Sequence, residues 1–176
     1  MKKIASTCIA VLGLGVGGMA SAIDGTISIT GEVSGKTCKI SGGSGDQTVT
    51  LVPVSQSSLG AGATSGFKPF SISVDSCTAG TKIVAHFEPG PTVNHETGNL
   101  VNQAAGGSNV EVQILTKDQK PIHLVNGTNN QEVIATGESG KATGTLEFLA
   151  AYKAPDSAAA TPGAVSTSVQ YTMSYE

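Results

Sequence analysis

From Gly163 to Glu176 the chain alternates. Gly163, Val165, Val169, Tyr171, Met173 and Tyr175 occupy one parity, and Ala164, Ser166, Ser168, Gln170, Thr172 and Ser174 the other. Successive strand side chains point to opposite faces, so the pattern predicts a half-buried strand with one apolar face. Gly25, Ile27, Ile29, Gly31 and Val33 repeat that pattern near the other terminus. Short apolar or alternating runs lie between: Thr48–Val52, Phe70–Val74, Lys82–Phe87, Val110–Leu115, Ile122–Val125 and Thr145–Tyr152. Strand formers dominate them, and Gly, Ser, Asn and Pro fill the gaps. Asn126-Gly127 suits a tight turn, and 154–164 reads as a loop of small residues before the last strand. No stretch past residue 22 sustains a helical period of 3.6.

Short strands without helices predict an all-β chain, an antiparallel β-sandwich of immunoglobulin-like type. One strand is missing from that count. If the run holding Cys38 is the first strand, Val165–Tyr175 is the sixth principal strand, and the sequence then stops. The sandwich is therefore expected to be incomplete, with a groove floored by core side chains and edged by unpaired backbone. Such an edge is an aggregation hazard, so something outside the domain is expected to fill it.

The first 22 residues change the cysteine arithmetic. Lys2 and Lys3, the apolar stretch 4–19, and Ala20-Ser21-Ala22 form a secretory signal peptide cleaved between Ala22 and Ile23. Cys8 leaves with it, and Cys38 and Cys77 remain. Two cysteines in an exported chain predict one disulfide. The mature chain keeps all 13 acids and, without Lys2 and Lys3, 8 of the 10 lysines, a formal charge of −5. It has no arginine and no tryptophan. Lacking arginine's bidentate fork, it is not expected to bind nucleic acid. No later run is long enough to span a bilayer, so no stable membrane insertion is expected.

Several elements, in order, resemble a known family. They are Ile27-x-Ile29-x-Gly31-x-Val33, Cys38 seven residues past Gly31, and Cys77 after Phe70-x-Ile72-x-Val74. Then come Asn109-Val110-x-Val112-Gln113-Ile114-Leu115, Phe148-x-Ala150-x-Tyr152, Gly163 fourteenth from the end, and Tyr175 penultimate. Together they resemble the major subunits of type 1-like fimbriae, the pilins of the chaperone–usher pathway. The resemblance implies an immunoglobulin-like domain lacking its C-terminal strand, completed by donor-strand exchange. Residues 23–33 would be the donor extension, carrying Gly25, Ile27, Ile29, Gly31 and Val33. Residues 34–176 would be the pilin domain. Gly163, Val165, Val169, Tyr171, Met173 and Tyr175 would line the acceptor groove and face the chaperone. The implied partners are other copies of the chain, neighbouring fimbrial subunits, a periplasmic chaperone and an outer-membrane usher. The implied location is a fimbrium on the bacterial surface, reached through the periplasm, and the implied role is support of bacterial adhesion.

No chemistry competes with this reading. Gly13-x-Gly15-x-x-Gly18 spells a dinucleotide fingerprint but lies in the signal peptide, without a βαβ context. His86, His95 and His123 are too far apart for a local metal motif, and Glu96, Glu111, Glu132, Glu138 and Glu147 are scattered. No catalytic, cofactor or metal residue is expected, and no enzymatic activity. The alternatives are a minor or tip-proximal one-domain subunit that binds a host receptor and, more remotely, a secreted immunoglobulin-like enzyme or inhibitor. The last would need a self-complete sheet.

Overall fold

A computed structural model of the chain describes residues 27–31, 35 and 37–176. The chain divides into two compact units, 1–33 and 34–176. In the first unit the described residues form no ladder, and Ile27 and Ile29 are 89% and 91% exposed.

The described residues of the second unit form eight strands. These are β1 (Lys39–Ile40), β2 (Thr64–Cys77), β3 (Lys82–Phe87), β4 (Leu100–Val101), β5 (Glu111–Thr116), β6 (Glu132–Ile134), β7 (Ala142–Lys153) and β8 (Tyr171–Tyr175). One 3₁₀ turn, Gln56–Ser58, is capped by the Ser55 side chain. Five strands form one sheet in the order β1-β2-β7-β5-β4, and three form another in the order β6-β3-β8. All pairings are antiparallel.

Alternation explains why the sheets face each other. Along β7, Ala142, Gly144, Leu146, Phe148 and Ala150 are buried, and the residues between 142 and 148 are exposed. Ile72 and Val74 of β2 and Ile83, Ala85 and Phe87 of β3 bury the same way. Phe148 joins the two sheets. It stacks on Phe70 at 5.3 Å and meets Phe87 edge-on at 5.3 Å. Both geometries suit the quadrupoles of aromatic rings.

A bulge in β2 makes the disulfide. Val74 pairs with Gly144 and Cys77 with Ala142, so three steps on β2 oppose two on β7. The extra residue switches parity, with Ser76 at φ 57°, and Cys77 faces the core instead of solvent. Lys39 pairs with Asp75, which brings Cys38 to that point, and Cys38 and Cys77 are bonded. Closing this 39-residue separation stabilises the fold by about 4 kcal/mol in the chain-entropy model. The mature folded protein is expected to show no alkylatable thiol. Cys38→Ser is expected to lower its melting point by about 10 °C. Two alkylatable cysteines in folded protein would contradict the pairing.

Some runs behave differently from their sequence pattern. Residues 48–52 form no strand and pair with none. Residues 122–125 form no strand: Ile122 buries beside an isolated bridge between Leu115 and Pro121, giving its N–H to Ile114 O at 2.9 Å, and Leu124 buries from a turn. At the last strand the ladder covers only Tyr171–Tyr175, although the alternation starts at Val165. β4 and β6 are too short to show a period.

Candidate functional site: an unpaired edge over the core

Among the described residues, β8 lies at the end of its sheet and pairs only with β3. Lys82 and Glu176 exchange both main-chain hydrogen bonds at 2.9 Å. In an antiparallel ladder such pairs recur every second residue, so Ser174 and Thr172 also bond towards β3. The main-chain N–H and C=O groups of Tyr171, Met173 and Tyr175 therefore point the other way, to the open side.

The same parity continues upstream by other means. Glu88 N–H donates to Gln170 O at 2.8 Å, and the Thr92 hydroxyl donates to Ser168 O at 2.6 Å. Gln103 N–H donates to Ser166 O at 2.7 Å, and Ser108 N–H donates to Ala164 O at 3.1 Å. Even-numbered residues are thus tied down over the whole run. Val165, Thr167 and Val169 turn their backbone groups to the open side and their side chains inward, half-buried. Val165, Val169, Tyr171, Met173 and Tyr175 pack on the core cluster.

A second unpaired stretch lies opposite. Val49 and Leu51 pack on the same cluster, half-buried. The Tyr171 hydroxyl donates to Gly45 O at 2.7 Å, while Val54 and Val165 both pack on a smaller cluster of Leu59, Val110, Ala154 and Ala160. These contacts set 45–54 alongside 165–171, running in the opposite direction. These two stretches flank a line of half-buried apolar side chains. The Thr167 hydroxyl is the polar exception, buried without a partner. Burial raises the phenol pKa values of Tyr171 and Tyr175, with the charge of Asp46 adding to the first and Tyr171 to the second. An arrangement of this kind can accept a strand.

Gly163 shows why a glycine opens this run. A side chain there would put Cβ 2.4 Å from Ser108 N and 2.6 Å from Gly107 C. Reciprocally, a Cβ on Gly107 would meet Ala164 O at 2.4 Å. Two backbones cross at this point, and only hydrogen fits between them.

Sequence reading missed the residues that hold the crossing. The Asn102 amide donates to Ser108 O and Ala164 O at 2.8 and 2.9 Å. Its Oδ1 accepts from Ala104 N–H and Ser166 N–H at 3.0 and 2.9 Å. Asn109 does the same for residues 159–161, giving to Ala159 O and accepting from Thr161 N–H. The one sequence signal was Gly106-Gly107 after a strand, which marks a turn but not its partner. Asn102→Ala leaves several backbone groups without partners, and a loss of about 2 kcal/mol is expected. Thermal unfolding of variant and parent measures it.

The other expected residues fall as follows. Cys38 and Cys77 are bonded to each other. Gly31 has no heavy atom within 4 Å of an added Cβ. Ala22, Ile23, Gly25 and Val33 lie outside the described residues. Glu111 is no free surface acid. Asn94, Thr97 and Asn99 all donate to its carboxylate, pinning the 94–99 loop. His86 and His123 border one shallow hollow with Asn130. Among the described residues no three His, Cys, Asp or Glu side chains cluster as metal ligands, and no helix is long and apolar enough to cross a membrane.

The chain is similar to known proteins over most of its length. The chain is 41% identical over 165 residues to the major fimbrial subunit SMF-1 of Stenotrophomonas maltophilia, covering 89% of this chain and 95% of that protein. It is 35% identical over 158 residues to the fimbrial subunit type 1 of Klebsiella pneumoniae, covering 86% and 84%. In structure it is similar to the P pilus rod subunit PapA, with a TM-score of 0.56 at 22% identity over 79% of this chain and 99% of that one. That likeness fits the all-β, two-sheet fold. Residues 27–176 match the fimbrial protein family, and the chain belongs to it.

Proposed function

We propose that the chain is a structural fimbrial subunit that polymerises head to tail by donor-strand complementation. Each copy lends residues 24–33 and receives the same segment of its neighbour in the groove between 45–54 and 165–175. The observation that carries this is the edge just described, where unpaired backbone groups and half-buried apolar side chains share one parity. Main-chain hydrogen bonds would supply generic affinity, and Ile27, Ile29 and Val33 would fill the apolar line. Each buried apolar side chain contributes about 1.5–3 kcal/mol. A contact that gives one surface and takes another is heterologous, and where it does not close into a ring it grows open filaments. A periplasmic chaperone would cover the same edge before assembly, an outer-membrane usher would receive the subunit, and the product would be a surface fimbria supporting adhesion.

Self-complementation tests the proposal. Residues 24–33, appended after Glu176 through a Gly/Ser linker, are expected to raise the melting temperature sharply and to give a monomer that no longer joins filaments. An appended chain that melts like its parent and still polymerises would contradict it.

A further inference from the structure

Tyr171 does more than fill the apolar line. Its position on the inward parity places the ring against the core, beneath the open edge rather than over it. From there its hydroxyl reaches Gly45 O at 2.7 Å. Among the described residues, this is the one hydrogen bond between the stretches 45–54 and 165–175. Gly45 is shaped for it. Its φ is +77°, and a Cβ there would stand 3.1 Å from the Tyr171 hydroxyl and 3.2 Å from Ile40 Cδ1. The rest of the 45–54 stretch has no ladder to fix its distance from the last strand.

Resting on the donor-strand reading above, we infer that the Tyr171 hydroxyl is a cross-tie that holds the two edges of the groove at strand-accepting separation. The tie runs under the incoming strand, so it need not break when that strand arrives. It acts as a positioning group. It pre-arranges the free edge of 45–54, which otherwise would be ordered only at the moment of strand entry. Ordering before binding removes that cost from the binding step.

The test uses the mature chain, refolded, with a fluorescent peptide of residues 24–33. Tyr171→Phe keeps the ring against the core and removes only the donor. Ile72→Val is the control, because it thins the same core from the opposite sheet and leaves the Tyr171 hydroxyl in place. Parent protein should incorporate the peptide, and Tyr171→Phe should do so about fivefold more slowly or more weakly, the scale of one net hydrogen bond. Ile72→Val should match the parent in rate despite its lower melting point. The inference is overturned if Tyr171→Phe stays within about twofold of the parent. It is overturned too if Ile72→Val slows as much, since lost stability then explains both. A parent protein that takes up no peptide overturns the donor-strand reading itself, and the cross-tie with it.

Discussion

Ile29→Asp subunits are expected to build no filaments while remaining folded. The described part of the proposed donor segment shows why its own domain loses little. Ile27 and Ile29 are 89% and 91% exposed, so a carboxylate in either place stays in water. Seated in a neighbour's groove, the same carboxylate would lie among Val165, Val169 and Tyr171. The burial gain of about 1.5–3 kcal/mol is then lost. A buried, unpaired charge adds several kcal/mol of penalty. The two effects act together at every joint of a filament. Electron microscopy of surface filaments, with soluble subunit measured alongside, checks the result. Tyr171→Asp differs in kind, because that side chain packs on the core of its own domain, and folding should fail as well.

Gly163→Val is the second large effect, and it strikes the acceptor instead of the donor. The added Cβ meets main-chain atoms of Gly107 and Ser108 at 2.4–2.6 Å, and main chain cannot swing aside as a side chain can. The crossing must open. Ser108 N–H then loses Ala164 O, and Asn102 loses its grip on 164–166. Overpacking of this kind costs about 1–3 kcal/mol, and the broken hydrogen bonds add to it. A melting point lower by about 10 °C or more is expected in the self-complemented form. Because the crossing positions the upstream half of the edge, peptide uptake should fall as well. Gly163→Ala should show the same defects in milder form.

The alternating runs were legible because a half-buried sheet writes its period into the sequence. β2, β3, β5 and β7 all fall on such runs, and the inward parity of the last strand was visible from Val165 to Tyr175. Ladder pairing was less legible. Residues 48–52 have the apolar spacing of a strand, yet they lie on the side of the fold where no ladder partner sits. Ile122 and Leu124 bury as deeply as strand residues, but from outside any strand, because burial alone does not specify a ladder. The groove's supports were hidden for another reason. Asn102 acts on Ala164 and Ser166, more than 60 residues away, and a lone Asn beside a Gly pair carries no mark of a distant partner. Glu111 likewise reads as a surface acid until the 94–99 loop folds over it. Gly163 stood out by position, and its reason needed the backbone of Gly107.

The most direct measurement is residue-resolved amide exchange of the mature domain, with and without a peptide of residues 24–33. Backbone parity makes the expectation specific. Without peptide, Thr172 and Ser174 should already be protected by β3, and the amides of Val165, Thr167, Val169, Tyr171, Met173 and Tyr175 should exchange freely. Adding the peptide should protect the odd-numbered set and leave Thr172 and Ser174 unchanged. If the odd-numbered amides are already protected in the free domain, or stay unprotected when the peptide is bound, the edge is not the acceptor and the account of assembly is wrong.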